Sequence, residues 1–218
     1  MNKSIFLFAF ITIILSSCAE KKSREVYNGT AKEAIINNIL TRRSIREYTD
    51  QPVPNKLIDS IMKCAIYAPS ANNNQSWELR IIKNKQLLDK VNDHFLTYAK
   101  TKKLSGHAAL ANVPGSGFHS FYKAPVLLVL AHDKTNPYSL LDAGLITENI
   151  LLSAHALGLG TCPLGSLVTI FTNPDNQDII KPLNFSDNFE PCLTIALGYP
   201  NENPLPKERF SDKVKYVE

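Results

Sequence analysis

From Thr30 onward the apolar positions alternate between helical spacing and short runs of strand length. Thr30-x-x-Glu33 is a capping box ahead of a helix whose apolar face is Ala34, Ile35, Ile39 and Leu40. Asn55 is expected to cap a second helix, with Leu57, Ile58, Ile61, Met62 and Ala65 inward and Pro69 closing it. A strand is expected around Leu79, Ile81 and Ile82, then a charged helix over 85–100. Residues 101–123 are rich in Gly, Ser and Lys, hold no period, and read as a mobile excursion. The apolar run 125–131 reads as a buried strand. Asn136-Pro137 is expected to open a helix that stops at Gly158. Asn173-Pro174 predicts a short helix, 191–199 an apolar strand, and the coreless tail from Pro200 an extended arm.

The helix over 137–157 is apolar nearly all round: Leu140, Leu141, Ala143, Leu145, Ile146, Ile150, Leu151, Leu152 and Ala154. It needs enclosure on every side, in a core or between subunits. Leu141, Leu145, Glu148, Leu152 and His155 follow 4-3-4-3 spacing, which suits a packed dimer helix and a monomer core helix alike.

Residues 1–17 join Lys3 to an apolar run from Ile5 to Leu15 and then to Ser16-Ser17, the pattern of a secretory signal peptide. The run is too short to span a bilayer of about 30 Å as a helix. Leu15-Ser16-Ser17-Cys18 resembles the lipobox of bacterial lipoproteins, in which the cysteine is lipidated. An ordinary signal peptide and an uncleaved short anchor are the alternatives. Residues 18–29 read as a polar tether and 30–218 as the folded domain.

Composition narrows the chemistry. With 218 residues, 44% hydrophobic and 20% charged, the chain is globular and can bury a core without disulfide staples. A net charge of +4 with scattered Lys and Arg gives no basic stripe, and nucleic acid is not expected as a partner. The four cysteines contain no Cys-x-x-Cys, and the histidines never fall at ligand spacing, so no metal site is expected. There is no phosphate loop, no His-Glu-x-x-His and no Gly-x-Ser-x-Gly, and Gly158-Leu159-Gly160 lacks the third glycine of a dinucleotide fingerprint.

Four features remain. Arg42-Arg43-Ser44-Ile45-Arg46 places three guanidiniums and a hydroxyl within five residues, a donor set suited to phosphate. The same residues suit a solvated helix end. Pro69-Ser70-Ala71-Asn72-Asn73-Asn74-Gln75-Ser76-Trp77 offers carboxamides to a heterocycle, or forms a plain turn. The glycines of Gly158 to Gly165 let backbone approach a flat ligand closely, or mark a helix stop followed by a turn. Lys207-Glu208-Arg209 is a basic pair in the tail, or simply a soluble end.

Together these four resemble the nitroreductase family of FMN-dependent oxidoreductases, over about residues 30–210. The resemblance implies an α+β sandwich with a mostly antiparallel central sheet flanked by helices, in an intertwined homodimer with exchanged C-terminal arms. It implies FMN as cofactor, and ping-pong electron transfer from a reductant such as NAD(P)H to a small nitroaromatic or quinone-like acceptor. It assigns Arg42, Arg43, Ser44 and Arg46 to the FMN phosphate, with Lys207 and Arg209 completing that site. Pro69, Ser70, Asn73 and Gln75 would face the isoalloxazine, and Pro163, Leu164 and Gly165 would bring backbone near flavin N5 and O4. The flavin carries the reaction, so no side-chain acid or base is expected. Ser76 stands where the family usually has proline, and Asn74 where it commonly has an apolar residue. A non-catalytic flavin-binding lipoprotein is the alternative from another class.

Lipidation at Cys18 places the protein at the bacterial cell envelope, held to a membrane. Cys18→Ser is expected to move it from the membrane fraction to the soluble fraction. Continued sedimentation with membranes would reject the anchor.

Overall fold

The computed structural model describes residues 29–218. The expected leader, Cys18 and the tether up to residue 28 lie outside the described residues. Helix α1 (Ala31–Thr41) opens on the expected capping box: the Thr30 hydroxyl accepts from the Glu33 N–H, and the Glu33 carboxylate accepts from the Thr30 N–H at 2.7 Å. Its apolar face is not buried in this chain, since Ile35 and Leu40 are about two-thirds exposed. Helix α2 (Asn55–Ala65) starts one residue earlier than the expected cap implies. Pro54 holds the cap position and its carbonyl accepts from Leu57 and Ile58. Asn55 instead accepts a hydrogen bond from the Lys83 ammonium. The helix ends at Ala65, four residues before Pro69.

Strand β1 (Trp77–Ile82) leads through the Asn84 cap into α3 (Lys85–Lys100), which buries Leu88, Val91, Phe95 and Ala99 at i, i+3, i+4 spacing. Strand β2 (Val126–Asp133) is the centre of a four-stranded, wholly antiparallel sheet of order β1-β2-β4-β3, where β4 is Phe189–Gly198 and β3 is Gly160–Leu164. Both faces of β2 are covered, which is why it reads as an unbroken apolar run. Val126, Leu128 and Leu130 pack with α2 and helix α4 (Ser139–Ala156). Leu127 and Val129 pack with α3, with short helices α5 (Val168–Phe171) and α6 (Gln177–Ile180), and with aromatics from the segment before β2. The architecture is therefore the expected α+β sandwich.

Four expectations are corrected. The segment 101–123 is not a loose excursion: a 3₁₀ helix (Gly106–Asn112) packs on α3, and Phe121 is 2% exposed. Its apolar residues Leu104, Ala108, Ala111, Phe118 and Phe121 are inserted one at a time, without a period that a sequence pattern would reveal. Helix α4 begins at Ser139, because Asn136 makes a turn by accepting from the Tyr138 N–H. Within one chain it is covered on one side, so the chain's own core does not enclose it. Ile146, Ile150 and Ala154 are fully buried, whereas Leu140 and Leu141 are 61% and 65% exposed. Asn173-Pro174 likewise forms a turn, and α6 opens four residues later.

The fourth correction concerns Gly158 to Gly165. Gly158 does end α4, with φ +76°, in the left-handed region that favours glycine. Beyond it the chain forms not a turn but the edge strand β3, whose Pro163 is tolerated because one side of an edge needs no donor. Gly160 starts it against Ile45, where an added Cβ would sit 2.7 Å from Ile45 Cγ1. Gly160→Ala is expected to destabilise the fold by about 1–3 kcal/mol through overpacking. Thermal unfolding followed by circular dichroism measures this, and an unchanged melting temperature would contradict it.

Candidate functional site

At the end of α1 the chain turns extended at Arg42 (ψ 134°) and runs as a strap beside β3. Ser44 bridges Thr161 in parallel, and the Ile45 N–H donates to the Thr161 carbonyl at 2.9 Å. The other side of the strap is held by residues that come after β4. Thr49 donates its N–H to the Tyr199 carbonyl, and the Glu202 carboxylate accepts from the Arg46 and Glu47 N–H groups. Glu202 has no mark in the sequence, because it stands alone in a polar tail with no motif around it.

This stitching forms one wall of a cleft of about 1010 Å³, lined among others by Arg42, Arg43, Lys63, Thr161 and Asn149. Arg42 Nη1 is buried there without a hydrogen-bond partner among the described residues. A buried unpaired guanidinium nitrogen is costly unless an acceptor fills the position, so this cleft fits an anion such as a phosphate. Arg43 turns its Nη1 to the carbonyls of Leu40 and Arg42, at 2.7 and 2.8 Å. Arg46 is exposed and does not line this cleft within the chain, and its Nη1 donates to the Ser44 carbonyl at 3.3 Å.

The carboxamide loop lies elsewhere. Asn72, Asn73 and Gln75 all have positive φ (54°, 55° and 50°), a strained choice for residues other than glycine. The Ser70 hydroxyl accepts from the Gln75 N–H at 2.9 Å, and Asp142 Oδ1 accepts from the Ala71 N–H at 3.0 Å. A second cleft of about 560 Å³ is lined by Asn72, Asn74, Gln75 and Ser76 together with Asn136 and Tyr138. Asn73 and Pro69 are exposed outside it.

The other expected residues fall in two places. Pro163 and Leu164 lie within β3, where the Leu164 carbonyl accepts from the Thr194 hydroxyl, and Gly165 comes directly after the strand. Lys207 and Arg209 are exposed in the tail, with Arg209 Nη1 folded back onto the Lys207 and Glu208 carbonyls. Within one chain they do not reach the basic cleft. Within β3, burial pushes the Cys162 thiol up, opposed by the Arg46 guanidinium. Burial also raises the Tyr48 phenol, whose hydroxyl donates to the Ile45 carbonyl at 2.7 Å.

An antiparallel sheet between helical layers, with a basic cleft at one end of α4 and a carboxamide loop at its other end, defines an α+β ligand-binding protein. Residues 39–199 match the family model described as Nitroreductase family, and the chain belongs to the nitroreductase family. A protein of Methanothermobacter thermautotrophicus, provisionally named NADH dehydrogenase/NAD(P)H nitroreductase, is 30% identical over 83% of this chain and 84% of its own. The 4-nitrobenzoate reductase of Pseudomonas putida is 29% identical over 76% of this chain and 85% of its own. The crystal structure of a nitroreductase with bound FMN from Desulfitobacterium hafniense superposes with a TM-score of 0.75 at 26% identity. That match covers 84% of this chain and 98% of the other.

The packing of segment 101–123 with the buried Cys162 gives a direct test. In native buffer at pH 8, Cys162 is expected to resist iodoacetamide and to react only on unfolding. Peptide mass mapping reads this out, and rapid native labelling would show that the segment opens.

Proposed function

We propose that this chain is an FMN-dependent oxidoreductase that moves electrons by a ping-pong mechanism from a reductant such as NAD(P)H to a small nitroaromatic or quinone-like acceptor. The observation that carries the reading is the buried, unpartnered Arg42 Nη1 in a cleft walled by the family's basic strap. The FMN-bound relative and the reductase names of the other two support it. Arg42, Arg43 and Ser44 would hold the phosphate, joined by Arg46 and by Lys207 and Arg209 from the tail. Pro69, Ser70, Asn73 and Gln75 would meet the ring system, and Pro163, Leu164 and Gly165 would line it with backbone. When bound, the flavin supplies the redox chemistry; the protein orients it, supplies positive charge and excludes water.

The two halves of this site lie at opposite ends of α4. Asp142 holds the carboxamide loop, while His155 near the other end contacts Thr41 beside the basic strap. Thirteen residues of helix separate them by about 20 Å. A homodimer in which α4 packs antiparallel on its copy brings the start of one helix to the end of the other and makes two complete sites. The exposed apolar residues Ile35, Ile36, Ile39 and Leu40 of α1 and Leu141 of α4 supply a face for that packing. The tail, with Leu205 at 84% and Phe210 at 62% exposure, would reach across to the partner. Lipidation at Cys18 would hold the dimer at the bacterial envelope, with a donor available there.

Purified residues 19–218 are expected to show a bound-flavin absorption spectrum after FMN addition, bleached by reductant and restored by an acceptor. A flavin that binds but does not cycle would leave a flavin-binding protein instead. Arg42→Ala is expected to weaken FMN binding roughly 10- to 100-fold, from loss of a charge-assisted hydrogen bond of about 1.5–3 kcal/mol. Fluorescence titration of FMN measures the change, and wild-type affinity would remove the phosphate-site assignment.

A further inference from the structure

Asp142 is 1% exposed in the first turn of α4, and its position is unusual in two respects. Oδ1 accepts from the Ala71 N–H at 3.0 Å, which ties the helix to the carboxamide loop. Oδ2 is buried and has no hydrogen-bond partner among the described residues. A core that needed only packing would be better served here by an apolar residue, because a half-satisfied buried carboxyl is unfavourable. The helix N-terminus offsets part of that penalty by favouring negative charge.

The loop it grips departs from ordinary backbone. Three of its four residues from Asn72 to Gln75 sit in the left-handed region, and none is glycine. Such a shape persists only where surrounding bonds impose it. Two side-chain acceptors do so: Ser70 Oγ on the Gln75 N–H, from within the loop, and Asp142 on the Ala71 N–H, from outside. Asp142 is therefore the side chain outside the loop that holds it at its first turn. The loop's exit is equally defined, since the Trp77 N–H donates to the Gln75 carbonyl at 2.7 Å and Trp77 is buried.

We propose that Asp142 is the positioning residue of the carboxamide loop: its buried carboxylate clamps the Ala71 N–H so that the Asn72–Gln75 shape is set before any ligand arrives. This rests on the proposed flavin site for its consequence, but the clamp itself is a property of the chain. Loss of the clamp would free the loop, and a ligand that meets its carboxamides would then have to order it on binding.

Two variants remove the clamp from opposite sides. Asp142→Leu keeps the branched shape and removes the acceptor. Ala71→Pro removes the donor and puts its ring Cδ where the hydrogen was, which displaces the Asp142 carboxylate; the backbone accepts proline at the first position of a 3₁₀ turn after an extended Ser70 (φ −141°, ψ 155°). Trp77, the single tryptophan of the chain, reports on the loop through acrylamide quenching of its fluorescence. In the full chain, each variant is expected to keep the wild-type far-ultraviolet circular dichroism and to raise Trp77 quenching. Each is also expected to weaken FMN binding on the order of tenfold, with the double variant no weaker than either single. Wild-type quenching and FMN affinity in the folded variants would overturn the proposal, as would additive losses in the double variant. A lowered melting temperature with both readouts unchanged would also overturn it, by making Asp142 a core residue only. If Asp142→Leu does not fold, Ala71→Pro carries the test. If the wild-type protein takes up no FMN, the flavin reading fails and Trp77 quenching alone decides the clamp.

Discussion

The burial of helix α4 against the sheet is the constraint on which the rest of the structure depends. Ile146, Ile150 and Ala154 are wholly buried against β2, β4 and α2, and each large side chain contributes about 1.5–3 kcal/mol by leaving water. That stripe fixes the rotation and depth of the helix. Its first turn then presents Asp142 to the Ala71 N–H, and its last turns present the Leu152 carbonyl to Asn38 and His155 to Thr41. One packed helix therefore holds both the basic strap and the carboxamide loop, and a shift in its depth would move both.

The basic strap shows how little local structure a binding segment needs when its neighbours are rigid. Residues 42–48 form no helix and no long strand. They are held by isolated bridges to Thr161 and Pro200 and by the Glu202 carboxylate on two backbone N–H groups. Gly160 lets the strap approach β3 closely because no Cβ intervenes. The arginines are thereby presented from backbone that the sheet edge has already ordered, with less entropy left to lose on binding an anion.

Legibility from sequence tracked periodicity. The α3 helix emerged at its expected bounds because Leu88, Val91, Phe95 and Ala99 recur at helical spacing behind an Asn84 cap. The β2 strand emerged because both its faces are buried, so every residue from Val126 to Ala131 is apolar. Segment 101–123 was misread because single aromatics such as Phe118 and Phe121 reach the core from irregular backbone. The β3 strand was hidden by Gly160 and Pro163, residues that signal a turn unless the strand lies at an edge. At the site, Arg42 and Gln75 stood out through clustering of like chemistry, while Asp142 and Glu202 act alone and at long range, and no local pattern marks them.

The sequence by itself determined the alternation of helices and strands and the residue types suited to phosphate and to a heterocycle, while the antiparallel sandwich was implied by the family resemblance. Each of these comes from interactions within a few residues of one another, or from a motif whose spacing survives in the linear chain. Only the tertiary structure decided which face of α4 is buried, which leucines are left outside, and that the basic strap and the carboxamide loop stand a helix length apart. Those outcomes depend on hydrogen bonds and contacts between residues tens to more than a hundred positions apart, such as Ala71 with Asp142 and Arg46 with Glu202. Pairings at that separation are set by packing in three dimensions, for which the linear order of side chains holds no code.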